Sequence, residues 1–327
     1  MKKNSIWITL SFTIIFILFG YALKAQSDFE RAESLYKLAN EHYDANQYKE
    51  AEKEYNKSLK IYKKLAKKNP QEYKDDVALN LNSLAVLHSS MKEDNQAIKE
   101  FEEALEIYRF LAKKNPEKYK EDIAITLHLL AIMHYYLEEY PISEKEYKEV
   151  LEIYRELVRE NPQKYKYFLA NTLYDLAKIH TGIEQYIDAE KEFKEALEIS
   201  RELAKENPEE YTYYITKNLN DLAFLHTKMN RYNDAEKELS EALNIYKDLA
   251  KENPVLYQFN VAEFLNNLAN LHLITEKYSD AKKELEQALE IFEEYAKISP
   301  SEYQSYVDTC KKNINVLNQA INSSQEE

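Results

Sequence analysis

Glycine is nearly absent: Gly20 and Gly182 are the only two in 327 residues. Gly-rich phosphate loops and glycine-built tight hairpins therefore cannot form, which weakens every nucleotide-dependent enzyme reading. Cys310 is the one cysteine, so no internal disulfide and no cysteine-based zinc site can form. Positive charge is scarce. Lys2, Lys3 and Lys24 are the only charges before residue 26, and beyond it 41 basic residues face 58 acidic ones. A chain this acidic repels phosphate backbones, which argues against nucleic acid as a partner and, by the same reasoning, against a generic anionic membrane surface. No stretch alternates apolar and polar residues as a half-buried strand would. One long apolar run exists, Ile6 to Phe19, and no second stretch approaches spanning length.

What is present is repetition. The phrase KKNPEKY at Lys113–Tyr119 returns as KKNPQEY, RENPQKY, KENPEEY, KENPVLY and KISPSEY. Its proline falls at Pro70, Pro116, Pro162, Pro208, Pro254 and Pro300, every 46 residues without insertion or deletion. Other columns keep the same step. Leu84, Leu130, Leu176, Leu222 and Leu268 each precede an alanine, and His42, His88, His134, His180, His226 and His272 take six of the seven histidines. Nine residues after each histidine comes a small residue, at Ala51, Ala97, Ser143, Ala189, Ala235 and Ala281. Within a unit the apolar positions recur at steps of three and four, so each unit is expected to be two helices. Asn-Pro divides the units. Proline cannot continue the preceding helix, but it suits the first position of the next, with asparagine as the cap.

These residues carry a resemblance. The unit resembles a tetratricopeptide repeat of the lengthened kind, similar to the repeats of kinesin light chain. Leu81, Leu84, Ala85, His88, Ala97, Phe101 and Ala104 fill the family's positions in order. The unit is 12 residues longer than the usual 34, and histidine stands where the family usually has tyrosine. The resemblance implies an all-α fold: a right-handed α-solenoid of six helix pairs over residues 26–303, closed by a capping helix and a frayed tail over 304–327.

The N-terminus has a basic start, a short apolar run and a small residue at Ala25, the pattern of a secretory signal peptide over residues 1–25. The rival reading is an uncleaved membrane anchor, with the 18 residues Ile6–Leu23 at the short limit for spanning. Either reading places the repeats outside the cytoplasm, in a periplasmic, secreted or envelope-associated protein. Membrane contact is then expected only through an uncleaved N-terminal segment.

Candidate chemistry is sparse. The histidine column suggests a metal ladder, but its members sit one repeat apart, and packed helices are about 8–10 Å apart, whereas zinc needs nitrogens at about 2.1 Å. Packing between the two helices of a unit is the expected role. The NPxxY tyrosines are expected to cover the joints between units. Cys310 has no accompanying His-Asp set. No cofactor, metal site or catalytic residue is expected, and an enzyme acting on glycans would lack a catalytic domain. The resemblance implies a concave groove lined by the first helices. Its candidate residues are Tyr36, Asn40, Asn82, Val86, Ile125, His128, Ile132, Tyr135, Tyr174, Lys178, Asn220, Phe224, Asn266 and Asn270. Spaced asparagines offer donors and acceptors to an extended peptide backbone, and the apolar first helix of the third unit suits a peptide or partner helix. A protein or peptide partner is the expectation; a homo-oligomeric contact is the other use of such a face.

Overall fold

The computed structural model describes residue 24 and residues 26–326. The expected signal peptide or anchor, residues 1–25, lies outside the described residues apart from Lys24. All described elements are helices: α1 (residues 26–44), α2 (Tyr48–Lys68), α3 (Pro70–Ser90), α4 (Asp94–Ala112), α5 (Pro116–Tyr136), α6 (Tyr140–Glu160), α7 (Pro162–Gly182), α8 (Tyr186–Glu206), α9 (Pro208–Lys228), α10 (Tyr232–Glu252), α11 (Pro254–Ile274), α12 (Tyr278–Ile298) and α13 (Pro300–Glu326). They group into two compact units that divide inside α6, after Leu157. In the first unit α2, α3, α4 and α5 pack each on the next. In the second the same succession runs from α7 to α13. Each unit is an α-solenoid of helix pairs.

Proline begins every first helix from α3 onward, at the first helical position. The asparagine before it caps with its side chain at Asn161 and Asn253, which accept from the backbone N–H of Lys164 and Leu256. At Asn69 and Asn207 the amide instead donates to Glu72 and Glu210. Alanine explains the closeness of the helices. Ala39, Ala85, Ala131, Ala177 and Ala269 on the first helices, and Ala51, Ala97, Ala189, Ala235 and Ala281 on the second, are fully buried, so backbones meet with no side chain between them. Where serine replaces alanine it finds a partner: Ser143 Oγ donates to the Ala131 carbonyl at 2.7 Å, and Ser58 Oγ to that of Ala32 at 2.8 Å.

One expectation needs correction. The scarcity of glycine does not prevent tight turns. Each turn from first to second helix passes through a left-handed residue, at Asn46, Lys92, Glu138, Glu184, Asn230 and Glu276, with φ between 58° and 63°. These are Schellman closures: Glu93 N–H reaches the His88 carbonyl at 2.8 Å and Lys92 N–H that of Ser89 at 3.0 Å. The helix that starts at Pro300 runs through Glu326 as one 27-residue element, because neither proline nor glycine follows Pro300 to break it. Val307, Cys310 and Leu317 bury its inner side.

Candidate functional site

The histidine column is a structural joint. His88, His134, His180, His226 and His272 are buried. Each places Nδ1 2.7–2.8 Å from a glutamate twelve residues on, in the second helix of its own repeat: Glu100, Glu146, Glu192, Glu238 and Glu284. The carbonyl of the same histidine accepts the Schellman bond of the turn, as in Gln185 N–H to His180 and Lys277 N–H to His272. One residue therefore fixes the turn by its backbone and the second helix by its ring. His42 departs from the pattern and meets Gln47 Oε1 at 2.6 Å. The glutamate partners escape sequence reasoning because they sit in glutamate-rich helices. The usable signal is that positions 54, 100, 146, 192, 238 and 284 are all Glu.

Electrostatics follow from that burial. For His226, burial opposes the charged ring, but the hydrogen bonds it makes to Glu238 and Glu190 outweigh burial and the pKa is raised. For His134 the bond to Glu146 raises it against burial. Burial pushes Glu238 and Glu284 up. Glu190 resists burial: Lys194, Arg231 and His226 hold it down at about 2. Burial raises the Cys310 thiol to about 11, which leaves it protonated at neutral pH. Among the described residues no group of three or more His, Cys, Asp or Glu side chains could hold a metal ion.

The joints between repeats are aromatic. Tyr119 lies 6.2 Å from Tyr108 and Tyr257 6.3 Å from Tyr246, ring centre to ring centre, so the NPxxY ring packs on the end of the preceding second helix.

The first helices are joined laterally by side-chain rungs 47 residues apart. Tyr36 bonds Ser83 at 2.8 Å, Tyr43 bonds Ser90 at 3.1 Å, and Tyr167 bonds Tyr214 at 2.8 Å. Tyr174 O–H donates to Asp221, Asn267 Nδ2 donates to Asn220 at 3.0 Å, and Asn313 Nδ2 donates to Asn266 at 3.2 Å. These rungs decide the state of the candidate residues. Asn82 Nδ2 donates to Thr126 at 2.8 Å. Asn40 accepts from Tyr55, and Asn270 accepts from Asn313 at 2.8 Å. The asparagines thus spend hydrogen bonds inside the solenoid. Tyr174 is buried, packed edge-on to Phe193, with the Lys217 ammonium 3.8 Å from its ring centre. Lys178 reaches the same ring at 5.9 Å. Burial pushes the Lys217 pKa down. His128 stands edge-on to Tyr147 at 5.2 Å, and Tyr135 packs on Tyr140.

Apolar side chains also stay open on the first helices. In the first unit α5 presents Ile125, 37% exposed, Leu129 and Ile132, half-buried, and Tyr136, 75% exposed. The spacing of four, three and four makes them one stripe. Val86 is half-buried on α3. In the second unit Phe224 on α9 is 53% exposed, with the Lys228 ammonium 5.2 Å from its ring centre. Two clefts lie between successive second helices. One is floored by Leu127 and Leu130 between α4 and α6, another by Val261 and Leu265 between α10 and α12.

Helix pairs with small-residue contacts, closed by identical turns and repeated without strands, define an α-solenoid repeat protein. Sequence models described as tetratricopeptide repeat match residues 32–65, 78–109, 122–202, 219–254 and 261–296. The chain belongs to the tetratricopeptide repeat family. Solved structures agree at the level of fold. BtubC from P. vanneervenii is 18% identical with a TM-score of 0.56, over 73% of this chain and 89% of that one. A putative kinesin light chain repeat protein from Podosopora anserina is 17% identical with a TM-score of 0.55, over 70% and 99%. A signal-transduction ATPase with a tetratricopeptide repeat sensor, from Pyrococcus horikoshii, is 15% identical with a TM-score of 0.63, over 87% of this chain and 39% of that one. No curated protein matches the sequence.

Proposed function

We propose that the protein is an exported, non-catalytic scaffold that holds a protein or peptide partner against its first helices. Tetratricopeptide repeats generally serve protein–protein interaction. The observation that carries the reading for this chain is the α5 stripe of Ile125, Leu129, Ile132 and Tyr136, apolar side chains left open on a face otherwise knitted by hydrogen bonds. Such a stripe suits the apolar face of a peptide or helix. Cys310 is buried and protonated, and the five buried histidines are committed to glutamates. The test is capture of partners from envelope extract with the chain from Gln26 onward, beside an Ile125→Ser/Tyr136→Ser variant and a Phe224→Ser variant. These side chains are exposed, so the variants keep the fold. A partner held by the parent and released by either variant supports the reading; a partner held equally by all three overturns it.

A second reading is a membrane-tethered regulator of an envelope assembly. The apolar run Ile6–Phe19 favours it. Intact mass of the native protein separates the two: cleavage after Ala25 leaves the scaffold free, and a retained N-terminus tethers it. Among the described residues no helix is long and apolar enough to cross a membrane.

A further inference from the structure

Charge is segregated along the chain. The first repeat, residues 26–69, carries net +2, and everything after it carries net −19. The source is one helix. α2 has eight lysines against three glutamates, whereas α4, α6, α8, α10 and α12 each carry a net charge of −2 or −3. At about 100° per residue, all eight α2 lysines fall within an arc of roughly 140°. That arc is centred opposite the buried side, formed by Ala51, Tyr55, Ser58, Tyr62, Leu65 and Ala66. From Lys49 to Lys67 it runs about 27 Å along the axis. Lys57, Lys63 and Lys64 pair with Glu54, Glu103 and Asp28. Lys49, Lys53, Lys60 and Lys67 are exposed and make no ion pair among the described residues.

The chemistry of the stripe narrows its partner. It holds no arginine and, among the exposed residues, no large apolar side chain. Protein interfaces are enriched in arginine and aromatic anchors and depleted in lysine. A row of hydrated point charges fits a diffuse anionic surface. The chain itself indicates which surface. A mostly apolar run, Ile6–Phe19, ends six residues before α1, so this repeat is the folded part nearest a segment made for a bilayer. Total charge does not govern this helix. Salt screens exposed charges beyond about 8–10 Å, close to the width of one helix, so the acidic repeats do not set the potential at α2.

We propose that the lysine face of α2 docks on the anionic phospholipid headgroups of a bilayer, with the acidic repeats repelled from that surface. The contact uses headgroup electrostatics alone and requires neither a retained N-terminal segment nor an occupied first-helix face. The test is vesicle flotation of the chain from Gln26 onward, with phosphatidylcholine vesicles and with vesicles containing about one third phosphatidylglycerol. The stripe variant is Lys49→Gln/Lys53→Gln/Lys60→Gln/Lys67→Gln. A control variant removes four exposed lysines elsewhere, Lys237→Gln/Lys251→Gln/Lys282→Gln/Lys297→Gln. Circular dichroism confirms that both fold. Each lysine near an anionic surface multiplies partitioning about fivefold, so the stripe variant is expected to bind at least about a hundredfold more weakly. The control binds like the parent, neutral vesicles bind nothing, and half-molar salt releases the parent. Equal loss in both variants, binding to neutral vesicles, or no binding at low salt overturns the proposal. So does tighter binding of the parent to a short DNA duplex than to anionic vesicles. Self-association that the stripe variant abolishes, without vesicle binding, assigns the face to a second copy and also overturns it.

Discussion

His226 Nδ1 lies 2.8 Å from Glu238 Oε2, while the other ring nitrogen lies 3.2 Å from Glu190 Oε1. The two carboxylates belong to successive second helices, α10 and α8, so one imidazole bridges two repeats. Arg231, just after the turn, reaches Glu190 at 2.8 Å and closes the cluster. Removing the ring leaves half-buried Glu238 without its donor, which is the costly way to break such a contact. His226→Leu is expected to destabilise the second unit by about 2–4 kcal/mol, seen as a lower urea midpoint. A variant as stable as the parent would reduce the bridge to a passive contact.

The histidine–glutamate joints give stability a pH dependence. The folded pKa of His226 and of His134 is raised above the usual 6.5. Their contribution is fully present below pH 6.5 and is lost as pH rises through the raised values. Burial-raised Glu238 acts in the same direction from its usual 4.5 upward. Glu190, held at about 2, acts oppositely: its contribution is present above pH 4.5 and is lost as pH falls toward 2. The melting temperature is therefore expected to peak between about pH 4.5 and 6.5 and to be lower at pH 8. His226→Gln should flatten the slope between pH 6.5 and 8. Equal melting temperatures at pH 6 and pH 8 in the parent would show that these rings fold uncharged.

The turns offer a second test. Glu138, Glu184 and Glu276 hold φ near 60°, where a side chain crowds the backbone and glycine does not. The expected gain from Glu→Gly at each is about 0.5–1 kcal/mol, after the extra freedom glycine gives the unfolded chain is set against the relieved strain. Asn46 and Asn230 share the conformation, yet asparagine tolerates it, so Asn→Gly there should be close to neutral. Thermal melts of the five single variants decide it; a loss at Glu184→Gly would contradict the strain.

Legibility in the sequence followed distance along the chain. Helix ends were plain because Asn-Pro marks one boundary and the histidine and small-residue columns mark the other. The alanine contacts were plain because a 46-residue column of small residues needs a close neighbour. Lateral chemistry was hidden. Asn220 and Asn267 are 47 residues apart and bonded at 3.0 Å, a pairing set by the packing of α9 on α11 rather than by any helical period. The asparagines therefore read as free amides when several are rungs. The lysine stripe was masked differently: its eight charges vanish into a net total of −14.

One rung position is imperfect and yields the last prediction. Asn80 on α3 is fully buried, and neither its amide nitrogen nor its oxygen meets a protein partner among the described residues. The equivalent residues one and two repeats on are Thr126 and Thr172, also buried, and each hydroxyl donates to its own helix at 2.8 Å, to the carbonyls of Asp122 and Phe168. Asn218, three repeats on, makes the same bond with its amide nitrogen, to the Tyr214 carbonyl at 2.7 Å, and leaves only its oxygen unmet; Asn80 makes neither bond. A buried polar group without a partner costs about 1–3 kcal/mol, and the smaller volume of threonine returns part of that as lost packing. Asn80→Thr is expected to stabilise the first unit by about 1 kcal/mol. The reverse change, Thr172→Asn, should destabilise the second unit by at least as much. Urea unfolding of both variants measures it, and a destabilised Asn80→Thr would mean that the amide has a partner of its own in solution.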